Sequence, residues 1–383
     1  MEEWNQDRLI DILETLIDYR GKTPRKISFG IPLITAKIVK NGRIETPSEF
    51  LPIEDYESWM VRGFPKIGDV LLTTEAPLGE VAQVNDEKIA LAQRIVCLRG
   101  KKDILDNTFL KYYFLSPKGK AKLKARETGT TVTGIKQSEL KEMLIDYPSY
   151  NVQKQITSIL SSLDEKIELN RRINENLAQQ AQALFKSWFV DFEPFQDGKF
   201  VNSELGMIPE RWKAGNLEEL VEVKYGKDHK KLASGTIPVY GSGGIMRYVD
   251  QYLYNEESVL IPRKGSLNNV MYVNHPFWTV DTMFYTHMKI EGIAKFIYLL
   301  ISPKDLLSMN SGSAVPSMTV DILNKIAVII PPTTILQQFE SIVKPLFIMA
   351  ESLQKENYRL AHLRDTLLPK LMSGELKIND LSI

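Results

Sequence analysis

The chain is written twice. Gly129 and Gly312, Pro148 and Pro331, and Gln155 and Gln338 each lie 183 positions apart, in matching order. Upstream, Ser116-Pro117 is answered by Ser302-Pro303 at an offset of 186. Trp4, Leu9 and Ile12 are answered by Trp212, Leu217 and Leu220 at 208. A repeat of this length means that one supersecondary solution is used in both halves. Each half reads as a globular segment followed by a helical one.

The helical segments carry the clearest periodicity. In the first half Ile156, Leu163, Asn170, Leu177 and Leu184 follow a seven-residue repeat, with Ile159, Ile167, Ile173, Ala181 and Trp188 between them. In the second, Phe339, Leu346, Leu353, Leu360 and Leu367 do the same, with Ile342, Met349 and Leu363 between. This spacing suits two helices that pair through a common stripe, and a polar Asn170 in the stripe fixes register at some cost in stability. Each run spans roughly 30 residues, or ~45 Å at 1.5 Å per residue. Pro345 lacks a backbone donor and predicts a break, with a short helix near 334–344 and a long one from Leu346. Pro369 and Ser373-Gly374 predict its end.

The globular segments contain short β-rich runs bounded by Gly, Pro and Asn, such as Gly68–Thr73, Ile95–Leu98, Ser258–Pro262 and Val270–Val273. The fold class is therefore α+β. With 383 residues and 43% hydrophobic content, the chain has enough length and apolar surface for two or three domains. A single cysteine, Cys97, excludes internal disulfides and cysteine-cluster zinc sites. The four histidines, His229, His275, His287 and His362, lack metal-ligand spacing. No apolar run approaches the ~18 residues of a membrane span, and the opening Met1-Glu2-Glu3-Trp4 is unlike a signal peptide, so a cytoplasmic location without membrane contact is expected.

The 48 basic and 48 acidic side chains cancel, but not locally. Arg20, Lys22, Arg25 and Lys26 cluster with Thr23 around Gly21. Lys227, Lys230 and Lys231 cluster after Tyr225-Gly226 in the second half. Basic, hydroxyl and glycine residues on a loop suit a phosphate backbone, which needs charge, donors and close approach. A solvated face is the alternative for either run alone, and their recurrence brings nucleic-acid contact level with it. A third run, Lys111, Lys118, Lys120, Lys122, Lys124 and Arg126, is compatible with backbone contact or simple solvation. The acidic stretch 44–57 is expected to serve helix pairing and partner docking. Arg263, Lys264 and Ser266, with Asn268 and Asn269, lie on an expected strand-to-strand loop; Arg, Lys and Asn match base edges, although such residues are common in hairpins. Tyr240–Gly244 lacks the spacing of a nucleotide site and reads as a turn. No Asn/Asp-Pro-Pro-aromatic tetrapeptide, glycine-rich cofactor fingerprint or carboxylate-plus-lysine nuclease pattern is found, so the chain reads as a reader or adaptor and not an enzyme.

In order, the motifs Trp4 to Leu9, Gly68-Asp69-Val70-Leu71, Gly129-Thr130-Thr131 with Gly134-Ile135-Lys136, Gln155, Leu184–Phe192, Leu205–Trp212, Pro331-Pro332, Gln338 and Leu367–Leu376 resemble the specificity subunit of type I restriction-modification systems over essentially the whole chain. The resemblance implies two target recognition domains, 1–150 and 208–333. It also implies a central helical spacer at 151–190, a connector at 191–207 and a C-terminal helical spacer at 334–376. The spacers would pair as an antiparallel coiled coil with approximate two-fold symmetry, acting as a ruler between two halves of a bipartite target in double-stranded DNA. It further implies two methyltransferase subunits and motor-nuclease subunits as partners. S-adenosylmethionine and ATP would be held by those partners, leaving no cofactor here. An autonomous two-domain DNA-binding regulator is the alternative. The resemblance also implies DNA contacts from the Arg20–Lys26 and Lys224–Lys231 loops and from Thr73, Thr74, Lys136, Tyr240, Ser242, Arg263, Lys264 and Ser266. The second half departs from the first where Pro316-Ser317-Met318 replaces Gly134-Ile135-Lys136, leaving Lys136 without a counterpart.

Overall fold

The computed structural model describes residues 4–21, 23–129, 133–309 and 316–378. Contacts divide them into two compact units. One is built from the residues up to Leu169 and from Glu356 onward, the other from Asn170–Lys355. Each unit thus takes one part of each long helix.

In unit 1 the strands that position the site are β1 (Asn5–Arg8), β2 (Leu13–Asp18), β3 (Ile31–Ile34), β4 (Val70–Thr74), β5 (Leu78–Gln83), β6 (Ala90–Leu91) and β7 (Ile95–Gly100). They are followed by helix α1 (Asn107–Leu115), β8 (Leu144–Tyr147) and the 40-residue helix α2 (Tyr150–Phe189). The central antiparallel sheet has the order β2-β7-β4-β5, β1 pairs with β8, and β3 runs parallel to β6. Every residue of β4 is buried because the sheet is covered on both faces. Val70 and Leu72 join Val96 and Leu98 against α1, while Leu71 joins Ala82, Ile95 and Cys97 in a second core. The two-residue strand period sorts one apolar run into two cores. Burial and the neighbouring Asp69 push the Cys97 thiol well above its ordinary range, so it is a packing residue.

Unit 2 repeats this plan with β9 (Lys213–Asn216), β10 (Val221–Tyr225), β11 (Ser234–Gly241), β12 (Gly244–Val249), β13 (Ser258–Pro262), β14 (Met271–Val273), β15 (Trp278–Thr279) and β16 (Met283–Met288). Helix α3 (Ala294–Ile301), β17 (Ala327–Ile330) and the 41-residue helix α4 (Thr333–Ser373) follow. The sheet order β10-β16-β13-β14 matches, β9 pairs with β17, and β11 runs parallel to β15. Single hydrogen bonds repeat as well. Leu9 N donates to Met143 O at 2.8 Å and Leu217 N to Ile326 O at 2.9 Å. Val259 and Ile261 face the helical core, whereas Leu260 faces a second one with Met283 and Tyr285.

The long helices depart from expectation in three ways. They are longer, at ~60 Å each. Pro345 does not divide α4, and Pro369 does not end it. The bond lost at Pro345 frees the Ser341 carbonyl, and both residues are exposed, so the break in the ladder lies on the solvent side. Fully buried Val343 just before it secures the helix to unit 2. The end comes at Ser373, before Gly374 with φ +75°. Third, the buried stripe differs from a heptad seam. Ile156, Asn170, Leu177 and Phe339 are buried, but Leu163, Leu184, Leu346, Leu353, Leu360 and Leu367 are only half-buried, and Ile342, Met349 and Leu363 are exposed. The faces taken instead hold Leu160, Leu336, Val343, Leu368, Leu371 and Met372, because each helix packs on a globular core as well as on its partner helix.

Within each unit the helices run antiparallel. In unit 1 Asp164 meets Arg364 and Lys166 meets Glu356. In unit 2 Phe189 and Phe339 lie 4.8 Å apart, ring to ring. The stretch expected as a plain connector carries a hairpin, Phe200–Ser203 with Gly206–Pro209, and packs Phe192, Phe195 and Phe200 into the unit 2 core around Trp212.

Candidate nucleic-acid interface

The edge where loops leave the central sheet is built on one frame in both units. Ile135 N donates to Thr74 O at 2.9 Å in unit 1, and Met318 N donates to Arg263 O at 2.8 Å in unit 2. Alongside, Gly134 bridges Glu75, and Ser317 bridges Lys264. The frames bring the end of β4 in unit 1 and the loop after β13 in unit 2 against segments 183 positions apart in the repeat, at Ile135 and Met318.

In unit 2 this edge gathers most of the residues expected there. Tyr225 is half exposed, its ring 5.1 Å from Phe284 and 5.5 Å below the Arg263 guanidinium. Arg263 also donates through Nη1 to Asp281 O at 3.2 Å. Gly265, at φ +84°, lies so close to Ser242 that a Cβ would come within 2.6 Å of its hydroxyl. Asn269 Nδ2 donates to Ser242 O at 2.8 Å, tying the hairpin turn Gly241–Gly244 to the Arg263–Asn269 loop. The Tyr225–Lys231 loop is pinned from beneath. Lys227 N donates to Thr279 O and Trp278 Nε1 donates to Lys227 O, each at 2.9 Å, while Gly226 packs where any Cβ would strike Val280 O. Above these anchors Lys227, Lys230, Lys231, Lys264 and Ser266 are exposed, and among the described residues no ion pair holds the four lysines. A rigid base carrying solvated ammonium groups can meet phosphates at little ordering cost.

Tyr240 is a correction. It is 8% exposed, with its hydroxyl 3.1 Å from His275 Nε2, and belongs to the core beneath the turn.

Unit 1 differs in chemistry. Thr73 and Thr74, expected at the interface, are buried: Thr73 Oγ1 accepts from Glu80 N at 2.9 Å, and Thr74 serves through its backbone. The residue that surfaces is Glu75, paired with Arg94 at 2.8 Å. Thr23 Oγ1 donates to Gln93 Oε1 at 3.1 Å, so Thr23, Gln93, Arg94, Glu75 and exposed Lys136 share this edge. Gln93 and Arg94 escaped the sequence reading, although they fill the short break between β6 and β7. Arg20 is spent on structure, bonding Asp18 at 3.0 Å and Ile135 O at 2.8 Å.

The acidic stretch also has a different role from that expected. Glu54 and Asp55 pair with Arg25, and Glu49 pairs with Lys26, so it neutralises the basic loop of its own domain. Exposed pairs of this kind are worth ~0–1 kcal/mol and exchange readily. Lys22, Thr130, Thr131 and Gly312 lie outside the described residues. Nor is the third basic run one surface. Lys111 is buried against Asp164, Lys118 and Lys122 hold Asp146, and Arg126 holds Glu139. Burial pushes the Asp146 carboxyl up, but hydrogen bonds from Lys122, Gln6 and Lys118 outweigh it and hold the group at about 2.

Among the described residues, no group of three or more His, Cys, Asp or Glu side chains is arranged to hold a metal ion, and no helix is long and apolar enough to cross a membrane. A family model described as the type I restriction modification DNA specificity domain matches residues 1–179 and 209–360, the two halves of the repeat. The chain belongs to this specificity family. The specificity subunit of the type I restriction enzyme MjaIX from Methanocaldococcus jannaschii is 30% identical over 413 residues, covering 99% of this chain and 95% of that one. The HindI specificity subunit from Haemophilus influenzae is 24% identical, covering 67% and 74%. A crystal structure of a type I restriction-modification S subunit from M. genitalium covers 97% of this chain and 96% of its own, with a TM-score of 0.56 at 21% identity, a likeness of fold. Members of a specificity family contribute recognition and not catalysis, in keeping with the edge described above.

Proposed function

We propose that the chain is the sequence-reading subunit of a type I restriction-modification complex, each globular unit reading one half of a bipartite target in double-stranded DNA. The observation that carries this reading is the repeated frame with unequal side chains. The bond Ile135 N to Thr74 O presents Glu75, Arg94, Gln93 and Lys136, while its equivalent Met318 N to Arg263 O presents Tyr225, Lys264 and Ser266. A carboxylate and an amide, which match cytosine and adenine edges, occur in the first of these sets and not in the second, so the half-sites differ. Lys227, Lys230 and Lys231 supply phosphate contacts that position unit 2.

The chain binds and orients, and its partners act. Two methyltransferase subunits carry S-adenosylmethionine and flip the target adenine, and motor-nuclease subunits carry ATP. Exposed apolar side chains on the long helices, Leu169, Ile348, Met349 and Tyr358, support docking of the methyltransferase subunits there. Co-expression with those subunits followed by DNA pulldown tests the proposal. Sequence-selective capture is expected only from the complex, and full selectivity of the chain alone would overturn it in favour of an autonomous regulator.

A further inference from the structure

Each recognition module meets its long helix through a buried polar contact, and the two contacts occupy different positions of the repeat. In unit 1, Lys111 of α1 is buried with Nζ 3.5 Å from Asp164 of α2. Tyr112 donates to the same carboxylate at 2.6 Å, and Arg364 reaches it from α4 at 2.8 Å. In unit 2, Lys295 of α3 is 2% exposed, with Nζ 2.6 Å from Glu340 of α4 and 3.0 Å from Glu257.

Helices α1 and α3 end at Ser116 and Ser302, an offset of 186, and α2 and α4 match at 183. These offsets make Tyr112 equivalent to Tyr298 and Asp164 equivalent to Phe347. The structure agrees, since Tyr298 packs edge-on against Phe347 at 5.9 Å where Tyr112 bonds Asp164. Lys111 then corresponds to Ile297. Arg364, opposite Asp164 on the antiparallel helix, corresponds to Ala181; both Ile297 and Ala181 are buried. Conversely, Lys295 and Glu340 correspond to Phe109 and Thr157, again buried. A third position repeats the inversion. Gln153 holds Ile104 O and Asp106 N at 2.8 and 2.9 Å, and its equivalent is buried Leu336. At each position the side chain that makes the polar contact in one unit is answered in the other by a residue that cannot make it: Ile297, Phe347 and Ala181 for Lys111, Asp164 and Arg364, Phe109 and Thr157 for Lys295 and Glu340, and Leu336 for Gln153.

We infer that these inverted contacts key each recognition module to its own helical segment, so that a module works in the other position only when the facing helix residues move with it. The physical ground is that an apolar replacement of a whole buried charge cluster is tolerated, whereas leaving one charge without its partner is not. A module from unit 1 placed on the unit 2 helices would bury Lys111 beside Phe347 and leave Glu340 facing Phe109.

The inference rests on the two-module reading and is tested with full chains co-expressed with their methyltransferase subunits. One chain carries residues 4–149 in place of 212–332. A second adds Leu336→Gln, Glu340→Thr, Phe347→Asp and Ala181→Arg. A third carries those four changes in the native chain. The second is expected to give at least tenfold more soluble complex and methylated sites than the first, at targets with two copies of the first half-site. The third is expected to lose at least tenfold relative to native. Equal yields from the first two chains, whether both active or both insoluble, or a third chain equal to native, would overturn the keying. Failure of the native complex to mark any bipartite target would instead overturn the two-module reading.

Discussion

Replacing Lys295 by Met removes an ammonium group while keeping an unbranched side chain of similar length against Tyr272 and Phe347. The ammonium now lies 2.6 Å from Glu340 Oε1 and 3.0 Å from Glu257 Oε1, and within 5.1 Å of the Tyr272 ring centre. Glu257 is exposed enough to turn to water, so its share is ~0–1 kcal/mol. Glu340 is mostly buried, and its Oε2 already has no partner. Stranding it accounts for most of the ~3–5 kcal/mol expected for breaking a buried pair. Burial raises the Glu340 carboxyl even with Lys295 present, and the substitution raises it further. A carboxyl raised in the folded state favours its neutral form there, so the penalty is absent below the ordinary carboxylate range, near ~4.3, and grows as pH rises toward the folded value by ~1.4 kcal/mol per pH unit. Urea unfolding followed by tryptophan fluorescence at pH 4.5 and 7.5 measures this, since Trp188 and Trp212 report on the unit 2 core. The variant should be destabilised far more at pH 7.5, and adding Glu340→Gln should recover at least half. A loss under ~1 kcal/mol at pH 7.5, or no recovery, would refute the reasoning.

Exchanging Lys227, Lys230 and Lys231 for Glu should weaken DNA binding of the complex uniformly across sequences and reduce the slope of log affinity against log salt by about 3, measured by salt titration of filter or anisotropy binding; an unchanged slope would remove these lysines from the interface. Pro345→Ala restores a donor inside α4 and should stabilise the chain by up to ~3 kcal/mol in urea melts, with any loss contradicting an unbroken helix. Asp146, held at about 2, contributes stability above the ordinary carboxylate value of ~3.9 that is lost as pH falls toward its folded value. Lys122→Ala should therefore shift the acid-unfolding midpoint upward, and an unshifted midpoint would deny the Lys122 contribution.

The duplicated order of strands and helices was legible because repeated glycines, prolines and glutamines mark equivalent turns and caps, and family motifs sit on them. The helix pairing was legible in kind but not in face. A seven-residue pattern describes two helices alone, whereas Leu336, Val343, Leu368 and Met372 are buried by the globular cores. Pro345 misled because Ser341, whose carbonyl it frees, is exposed, and the packing of Val343 in the unit 2 core outweighs the cost of the missing bond. At the interface, residue type separated poorly into exposed and buried. Thr73 and Tyr240 look like surface hydroxyls but satisfy backbone and imidazole partners inside, and Arg25 and Lys26 look free but meet acids some 20 to 30 positions away. Such pairings depend on tertiary proximity, which local spacing does not encode. Lys227, Lys230, Lys231 and Lys264 were legible because, among the described residues, no ion pair holds them, and the one acid within the 227–231 run, Asp228, accepts from Lys230 N instead.

Methylome sequencing of cells carrying the native complex and a chain whose residues 1–150 come from another family member tests the central claim most directly. The account predicts a bipartite methylated target in which the exchange changes one half-site and leaves the other half-site and the spacer intact. Alteration of both half-sites, or a single contiguous target, would contradict it.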